Sequence, residues 1–174
     1  MRQFLWIAGR PSLDLCNTAA GGTERLREPA DLGRWLLEAT LSPSPVVVTE
    51  GDLAATVVLR DGLRRSLLIG DVHGVAALTT EWLRQTPGRL CVDRDTLSTR
   101  FTPDRLTCRC LLVPTVLDAL ELARDRPGRV RECAAELCDV LYLDTSRNRS
   151  RRWCSMERCG ARSKAAAYYW RRRR

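Results

Sequence analysis

Four cysteines near the C-terminal end constrain the fold of this chain more than any other feature. Cys133 and Cys138 form one pair and Cys154 and Cys159 form a second, with four residues inside each pair and fifteen between the pairs. Zinc binds four thiolates in a tetrahedron, and a short turn with two cysteines supplies two of them. A unit this small buries little apolar surface and needs a metal to stabilise its fold. The spacing therefore predicts one structural zinc ion per chain.

Two other interpretations of these cysteines are less favoured. Four-residue spacing differs from the Cys-x-x-Cys of redox proteins, which disfavours a disulfide or redox site. Burial without a metal would not require paired spacing. The N-terminal apolar run is too short for a secretory signal, and no apolar stretch is long enough for a membrane helix, so we expect a reducing cytoplasm and no membrane contact. The other cysteines are expected to pack in the fold: Cys16, Cys91, Cys108 and Cys110.

The distribution of charged residues divides the chain just before the first cysteine pair. Residues 1–128 carry 16 basic and 16 acidic side chains, whereas residues 129–174 carry 13 basic and 5 acidic ones. The whole net charge of +8 therefore lies in the last 46 residues. A neutral unit followed by a basic one predicts two domains, residues 1–128 and 129–174, of which the second meets an anionic partner.

The first unit has a helical pattern with one change of period. Asp31 is a candidate N-cap for a first helix, Thr49 and Asp52 resemble a capping box for a helix to about Ile69, and Asp71 could cap a third. Residues 90–111 instead alternate in short pieces, which predicts two or three antiparallel strands. Pro114 suits the first turn of a fourth helix. The expected class is α+β, with a mostly helical N-terminal domain that includes a small antiparallel sheet.

The second unit has the outline of a treble-clef-like zinc finger. Residues 140–143 predict a strand after the first cysteine pair, and residues 151–153 predict a returning strand before the second pair. Residues 161–169 are rich in helix formers and predict a basic C-terminal helix. The expected order is a cysteine turn, a hairpin, a second cysteine turn and a helix.

Residues 133–173 resemble the CGNR zinc finger. The matching pieces are Leu141-Tyr142-Leu143-Asp144, Thr145-Ser146-Arg147-Asn148, Ser150-Arg151-Arg152-Trp153-Cys154-Ser155-Met156 and Cys159-Gly160-Ala161-Arg162. Ala161 stands where the name-giving tetrad has Asn. An Asn there could cap the helix or touch a ligand, so its loss affects local stability or specificity rather than zinc binding.

The first unit resembles the ABATE domain that is usually joined to this finger. The cues are Gly9-Arg10, Leu13-Asp14-Leu15-Cys16-Asn17-Thr18 and Asp31-Leu32-Gly33-Arg34-Trp35-Leu36. Such proteins are described as stress-related transcription regulators of bacteria. The resemblance implies a DNA-binding regulator whose first domain senses an effector or forms a homodimer, although the sequence names no effector.

Two basic clusters are the candidate nucleic-acid contacts, one between the cysteine pairs and one on the last helix. Basic side chains release counterions from phosphate, and a basic helix fits the major groove of DNA. Arg152 and Arg162 lie nearest the ligands and are expected to support the thiolates instead. The predicted contacts are Arg147, Asn148, Arg149, Arg151, Lys164, Arg171, Arg172, Arg173 and Arg174. The final arginine run could also be only a solvated end, and the aromatic residues before it could pack on the finger.

Other functions remain open at this point. The finger could be an adaptor that binds an acidic protein of the transcription machinery, or it could bind RNA. An enzyme is less favoured, because the single histidine, His73, has no recognisable catalytic motif around it and four cysteines leave zinc no open position. Asn17 and Thr18 could hold a ligand or cap a turn. We expect the first unit to fold without the second, so that chelation would spare most of the helix.

Overall fold

A computed structural model of the chain describes residues 3–96, 99–163 and Tyr169. The elements follow the α+β class that the sequence predicts. Two antiparallel sheets of two strands each, β1 with β2 and β3 with β4, accompany the helices. The helices are α1 Pro11–Cys16, α2 Pro29–Glu38, α3 Glu50–Ile69, α4 Val72–Arg84, α5 Cys108–Leu111 and α6 Val113–Asp125, and the strands are β1 Gly88–Val92, β2 Thr99–Pro103, β3 Val130–Glu132 and β4 Leu141–Leu143.

Local signals set the ends of the long helices. Thr49 accepts from the backbone N–H of Asp52 while the Asp52 side chain accepts from the N–H of Thr49, so the predicted capping box starts α3. Gly70 ends that helix in the left-handed region, at φ 72°, where a side chain would be strained. Asp71 caps α4 through the N–H of Gly74. The expected cap of α2 is different: the helix begins at Pro29, and Glu28 occupies the cap position.

One short helix, α1, lies at the centre of the first unit. Its residues Ser12 to Cys16 are all buried. Asp118 of α6 fixes its start, because this carboxylate pairs with Arg10 at 2.8 Å and accepts from the backbone N–H of Ser12 at 3.1 Å. Asp14 accepts from the N–H of Ala8, and burial raises the pKa of its carboxyl to about 6. These contacts explain why the Gly9-Arg10 to Asp14 stretch has a distinctive sequence.

Two of the predicted strands are wrong. Residues 108–111 form α5, which Thr107 caps by accepting from the N–H of Cys110. Alternation over so few residues does not distinguish a strand from one helical turn. Residues 151–153 form no strand, and β4 pairs instead with β3, where Arg131 lies opposite Tyr142. The segment before the first cysteine therefore takes the place expected for the returning strand.

The first unit and the cysteine-containing unit share a packed boundary. Val130 and Leu141 belong to the same buried cluster as the N-terminal helices, and Ala20 belongs to the cluster that contains the cysteines. Asn17 is fully buried, and its amide donates to the carbonyl of Leu141 at 3.0 Å and accepts from the Leu141 N–H at 2.7 Å. This side chain extends the edge of β4, so it neither holds a ligand nor caps its own turn.

Polar contacts reinforce this boundary around the turn that holds Cys138. The guanidinium of Arg64 donates to the carbonyl of Asp139 at 2.6 Å and pairs with Glu132 at 2.9 Å. The Asp139 carboxylate accepts from the backbone N–H of Gly21 at 2.5 Å. These contacts tie the turn that holds Cys138 to the first unit. Such packing favours a core shared by the two units over the independent folding that the charge step suggested.

None of the helices in the described part of the chain is both long enough and apolar enough to cross a lipid bilayer.

Candidate metal centre

The first cysteine pair lies on a tight left-handed turn that follows β3. Cys133 donates its backbone N–H to the carbonyl of Val140 at 2.9 Å, and the N–H of Cys138 bonds to Ala135 at 3.1 Å. Leu137 and Asp139, on either side of Cys138, have positive φ angles of 60° and 44°. Such angles are costly for residues with side chains, so the fold holds this turn in one conformation.

The second pair includes a helical turn of wide π geometry, Met156–Gly160, which contains Cys159 and follows Cys154 by two residues. Ser155 caps this turn by accepting from the N–H of Arg158 at 3.0 Å. A Cβ at Gly160 would lie 2.6 Å from the sulfur of Met156, so a larger residue directly after Cys159 would require the exposed Met156 side chain to move. Residues 161–163 continue as helix, and Ala161 is exposed on it, so the residue that replaces the motif Asn leaves the cysteines undisturbed.

The four sulfur atoms meet at one point of the fold. All four lie within 4.8 Å of one another. The Sγ of Cys159 lies 3.5 Å from the Sγ of Cys138 and 3.6 Å from the Sγ of Cys154. The Sγ atoms of Cys138 and Cys154 are 3.8 Å apart. A tetrahedron with zinc–sulfur bonds near 2.3 Å has edges of about 3.8 Å. These separations match such edges and exceed the roughly 2 Å of a disulfide.

The surroundings of the sulfurs also suit a metal-bound cluster. Cys133, Cys154 and Cys159 are buried. The backbone N–H of Cys154 donates to the sulfur of Cys133 at 3.3 Å, and the guanidinium of Arg162 donates to the sulfur of Cys159 at 3.7 Å. Donors of this kind stabilise thiolates around zinc. The cluster is therefore arranged to hold a metal ion, and four thiolates would fill the tetrahedral coordination of zinc.

The remaining cysteines lie away from this cluster. Cys16 and Cys108 are buried, and desolvation raises the pKa of each thiol to about 12. Cys110 is also buried, and its sulfur contacts the hydroxyl of Thr107 at 3.0 Å. Packing is thus the role of these three, as expected. Cys91 differs because it is exposed on β1.

A buried carboxylate shapes the turn between the cysteine pairs. Asp144 is 1% exposed, and its oxygen Oδ1 accepts from both the N–H and the hydroxyl of Ser146. The Ser146 hydroxyl oxygen accepts in turn from the N–H of Ser150 at 2.9 Å. Arg129 donates to the carbonyl of Ser146 at 2.7 Å from the other side. Despite desolvation, which acts in the opposite direction, the bonds from Ser146 lower the pKa of Asp144.

The arginines predicted as nucleic-acid contacts fall into different environments. Arg147, Asn148 and Arg149 are exposed at the tip of that turn. Arg151 instead donates to the carbonyls of Leu143, Trp153 and Cys154 and lies 4.7 Å above the ring of Tyr142. These contacts hold the guanidinium against the second cysteine turn, and a contact of Arg151 with nucleic acid stays a prediction. Lys164 and residues 171–174 lie outside the residues that the structure describes.

The two arginines expected to support the ligands also differ from each other. Arg162 contacts the sulfur of Cys159, as expected. Arg152 is exposed and lies 5.3 Å above the ring of Trp153, so its charge faces solvent. Sequence spacing cannot separate Arg151 from Arg152, because successive side chains in an extended segment point to opposite sides. Arg151, rather than Arg152, therefore makes the internal contacts beside the second cysteine pair.

Comparison with known proteins accounts for nearly the whole chain. The model of the CGNR zinc finger matches residues 129–172, which contain the four clustered cysteines. The ABATE model, described as "Putative stress-induced transcription regulator", matches residues 9–126. Neither is a family of enzymes. No curated protein matches the chain. From the match over residues 9–126 and the zinc finger that follows it, the chain belongs to the ABATE family and ends in a CGNR zinc finger.

Proposed function

We propose that this chain is a zinc-dependent DNA-binding protein that regulates transcription in a bacterium. One zinc ion, held by Cys133, Cys138, Cys154 and Cys159, organises the C-terminal unit. Zinc contributes no chemistry here beyond fixing the two cysteine turns relative to each other. The family description supports the regulatory role, and the charge of residues 129–174 supports an anionic partner.

The exposed turn at residues 147–149 is the main observation that supports DNA binding. Its backbone is fixed by Asp144 and Ser146, so two arginine side chains project from a rigid support. Among the described residues, no acidic side chain pairs with Arg147 or Arg149. Two exposed arginines without an acidic partner give the turn a positive potential that attracts an anion. A DNA phosphate satisfies both charges.

The exposed arginine next to this turn extends the same surface. Arg152 presents its charge to solvent over Trp153. A zinc tetrathiolate is formally dianionic, but the surplus of basic residues exceeds it, and the surface stays positive. Lys164 and residues 171–174 add further positive charge to the same unit. Phosphate contacts of this kind position a protein on DNA, whereas Asn148 is the side chain suited to a base edge.

Titration of a duplex DNA fragment at several salt concentrations tests the proposal. The double variant Arg147→Ala, Arg149→Ala should weaken binding, and the logarithmic salt slope should shrink by about 0.9 for each phosphate that the variant no longer binds. Removing residues 171–174 should have an effect of the same kind. Fluorescence anisotropy with labelled duplexes measures both the affinity and the slope.

Matched controls distinguish the turn from charge in general. Arg27 and Arg65 are exposed arginines of the first unit, so Arg27→Ala, Arg65→Ala removes the same charge and should leave the salt slope unchanged. Equal losses of affinity in the two double variants would show nonspecific attraction only. Tighter binding to duplex RNA would favour the RNA-binding alternative. No affinity for any nucleic acid would favour the adaptor.

A further inference from the structure

The hairpin formed by β1 and β2 leaves one strand uncovered. Every residue of β1 is exposed, and Leu90 and Val92 remain 58% and 62% accessible. Phe101, opposite Leu90 in the register, packs against the main core and anchors the hairpin. A two-stranded hairpin with an open edge is only marginally stable in water, and its apolar face is normally covered by further strands or a helix.

The hydrogen-bonding pattern shows which backbone groups are available. The N–H of Asp104 donates to the carbonyl of Pro87 at 3.2 Å, in register with the paired strands. Alternation then directs the backbone groups of Arg89 and Cys91 toward β2 and those of Leu90 and Val92 toward the open edge. In the described part of the chain, β2 is the only strand that pairs with β1.

The sequence of this open edge is complementary to itself. Reading residues 89–93 as Arg, Leu, Cys, Val and Asp, an antiparallel copy centred on Cys91 matches each residue with a suitable partner. Leu90 lies opposite Val92, and Arg89 lies opposite Asp93. We propose that β1 pairs with β1 of a second copy of this chain about a twofold axis at Cys91, which joins two hairpins into one four-stranded sheet.

Each feature of the edge fits this register. The outward backbone groups of Leu90 meet those of the partner's Val92, so the two pairs related by the axis each exchange two hydrogen bonds. The apolar side chains of both copies then share one face with Phe101. On the opposite face, each Arg89 meets the partner's Asp93, an opposite-charge cross-strand pair that occurs twice. A shift of two residues in one direction would place Arg89 opposite the partner's Cys91 and lose both ion pairs, and a shift in the other direction would place Arg89 opposite the partner's Asp95, which lies in the turn after β1.

The charge distribution supports a second copy as the occupant. Residues 1–128 are neutral overall, so two N-terminal units approach each other without net repulsion, unlike the basic fingers. The Asp93 carboxylate accepts from the N–H groups of Asp95 and Thr96 at 3.1 Å and 2.9 Å, which fixes its position at the end of β1. The interface does not depend on DNA binding, so either proposal can fail alone.

Cys91 provides a direct test of the register. At a position without backbone hydrogen bonds, opposing Cα atoms are about 4.5 Å apart, which is within the range of a disulfide. Diamide accepts the two protons and two electrons that two thiols lose as the bond forms. Treatment of the full chain should give a reducible covalent dimer that Cys91→Ser abolishes. Val58 is also exposed, on α3, so Cys91→Ser, Val58→Cys is the matched control and should not cross-link. Equal cross-linking of the control, or none in the wild type, would overturn the register.

Sedimentation velocity tests the dimer without chemistry. Arg89→Glu creates two like-charge pairs and should raise the dimer dissociation constant about tenfold, whereas Arg89→Lys should leave it nearly unchanged. Circular dichroism verifies that both variants fold. A wild type that sediments as a monomer at every soluble concentration, or a dimer indifferent to Arg89→Glu, would refute the interface.

Discussion

Replacement of Asn17 with alanine is expected to destabilise the protein by about 2–6 kcal/mol, since two buried backbone groups lose their partners at about 1–3 kcal/mol each. The orphaned groups are the N–H and the carbonyl of Leu141. Leu141 is itself fully buried, so water cannot replace the lost bonds. Chemical denaturation of the zinc-loaded protein measures the change in the free energy of unfolding.

Two variants sharpen this result. Asn148→Ala removes the same side chain from an exposed turn and should change the stability by less than about 0.5 kcal/mol. Asn17→Asp keeps an acceptor for the Leu141 N–H but faces the carbonyl with a second oxygen, so it should be about as harmful as alanine. If Asn17→Ala unfolded with the wild-type free energy, the side-chain pairing with β4 would have no energetic role.

Removal of the metal should unfold more of the chain than the finger. Structural zinc sites supply about 10–16 kcal/mol of folding free energy, which exceeds the roughly 5–15 kcal/mol that stabilises a typical domain. Val130 and Leu141 are part of the main core, and the Cys138 turn is tied to Gly21 and Arg64, so loss of the finger uncovers the first unit. We expect the helix signal and DNA binding to be lost together.

Far-UV circular dichroism during denaturation, with and without a strong chelator, checks this expectation. The chelated protein should lack most of its helix signal before denaturant is added, whereas the zinc-loaded protein should lose its helix signal and its tryptophan fluorescence in one transition. Added zinc should restore the wild-type curve, whereas added magnesium should not, because Mg²⁺ prefers oxygen ligands to thiolates. Persistence of a separate helical transition at its original midpoint would instead support two independent units.

Features with local causes could be predicted from the sequence. The Thr49 and Asp52 capping box, the Asp71 cap and the clustering of two cysteine pairs each depend on residues close in the chain or on one metal. The last of the strands predicted within residues 90–111 was wrong, because Thr107 caps a helix there and the alternation is weak. Short apolar pieces carry too little periodicity to decide such cases.

Features that join distant residues could not be predicted in this way. Asn17 meets Leu141, 124 positions away, and the sequence around Asn17 shows only that the position is unusual. The pairing of β4 with β3 likewise depends on which segment lies beside β4 in the folded chain. Arg151 and Arg152 differ only in the side of the chain to which they point. Composition and spacing locate the metal centre but not the packing that supports it.

Measurement of the metal and its ligands in protein purified without added metal tests the central claim most directly. Elemental analysis should give about one zinc per chain, and X-ray absorption should show four sulfur neighbours near 2.3 Å. The double variant Cys138→Ser, Cys154→Ser should lose the metal. A first shell containing nitrogen or oxygen in the wild type, or full zinc occupancy in the double variant, would contradict the four-cysteine centre.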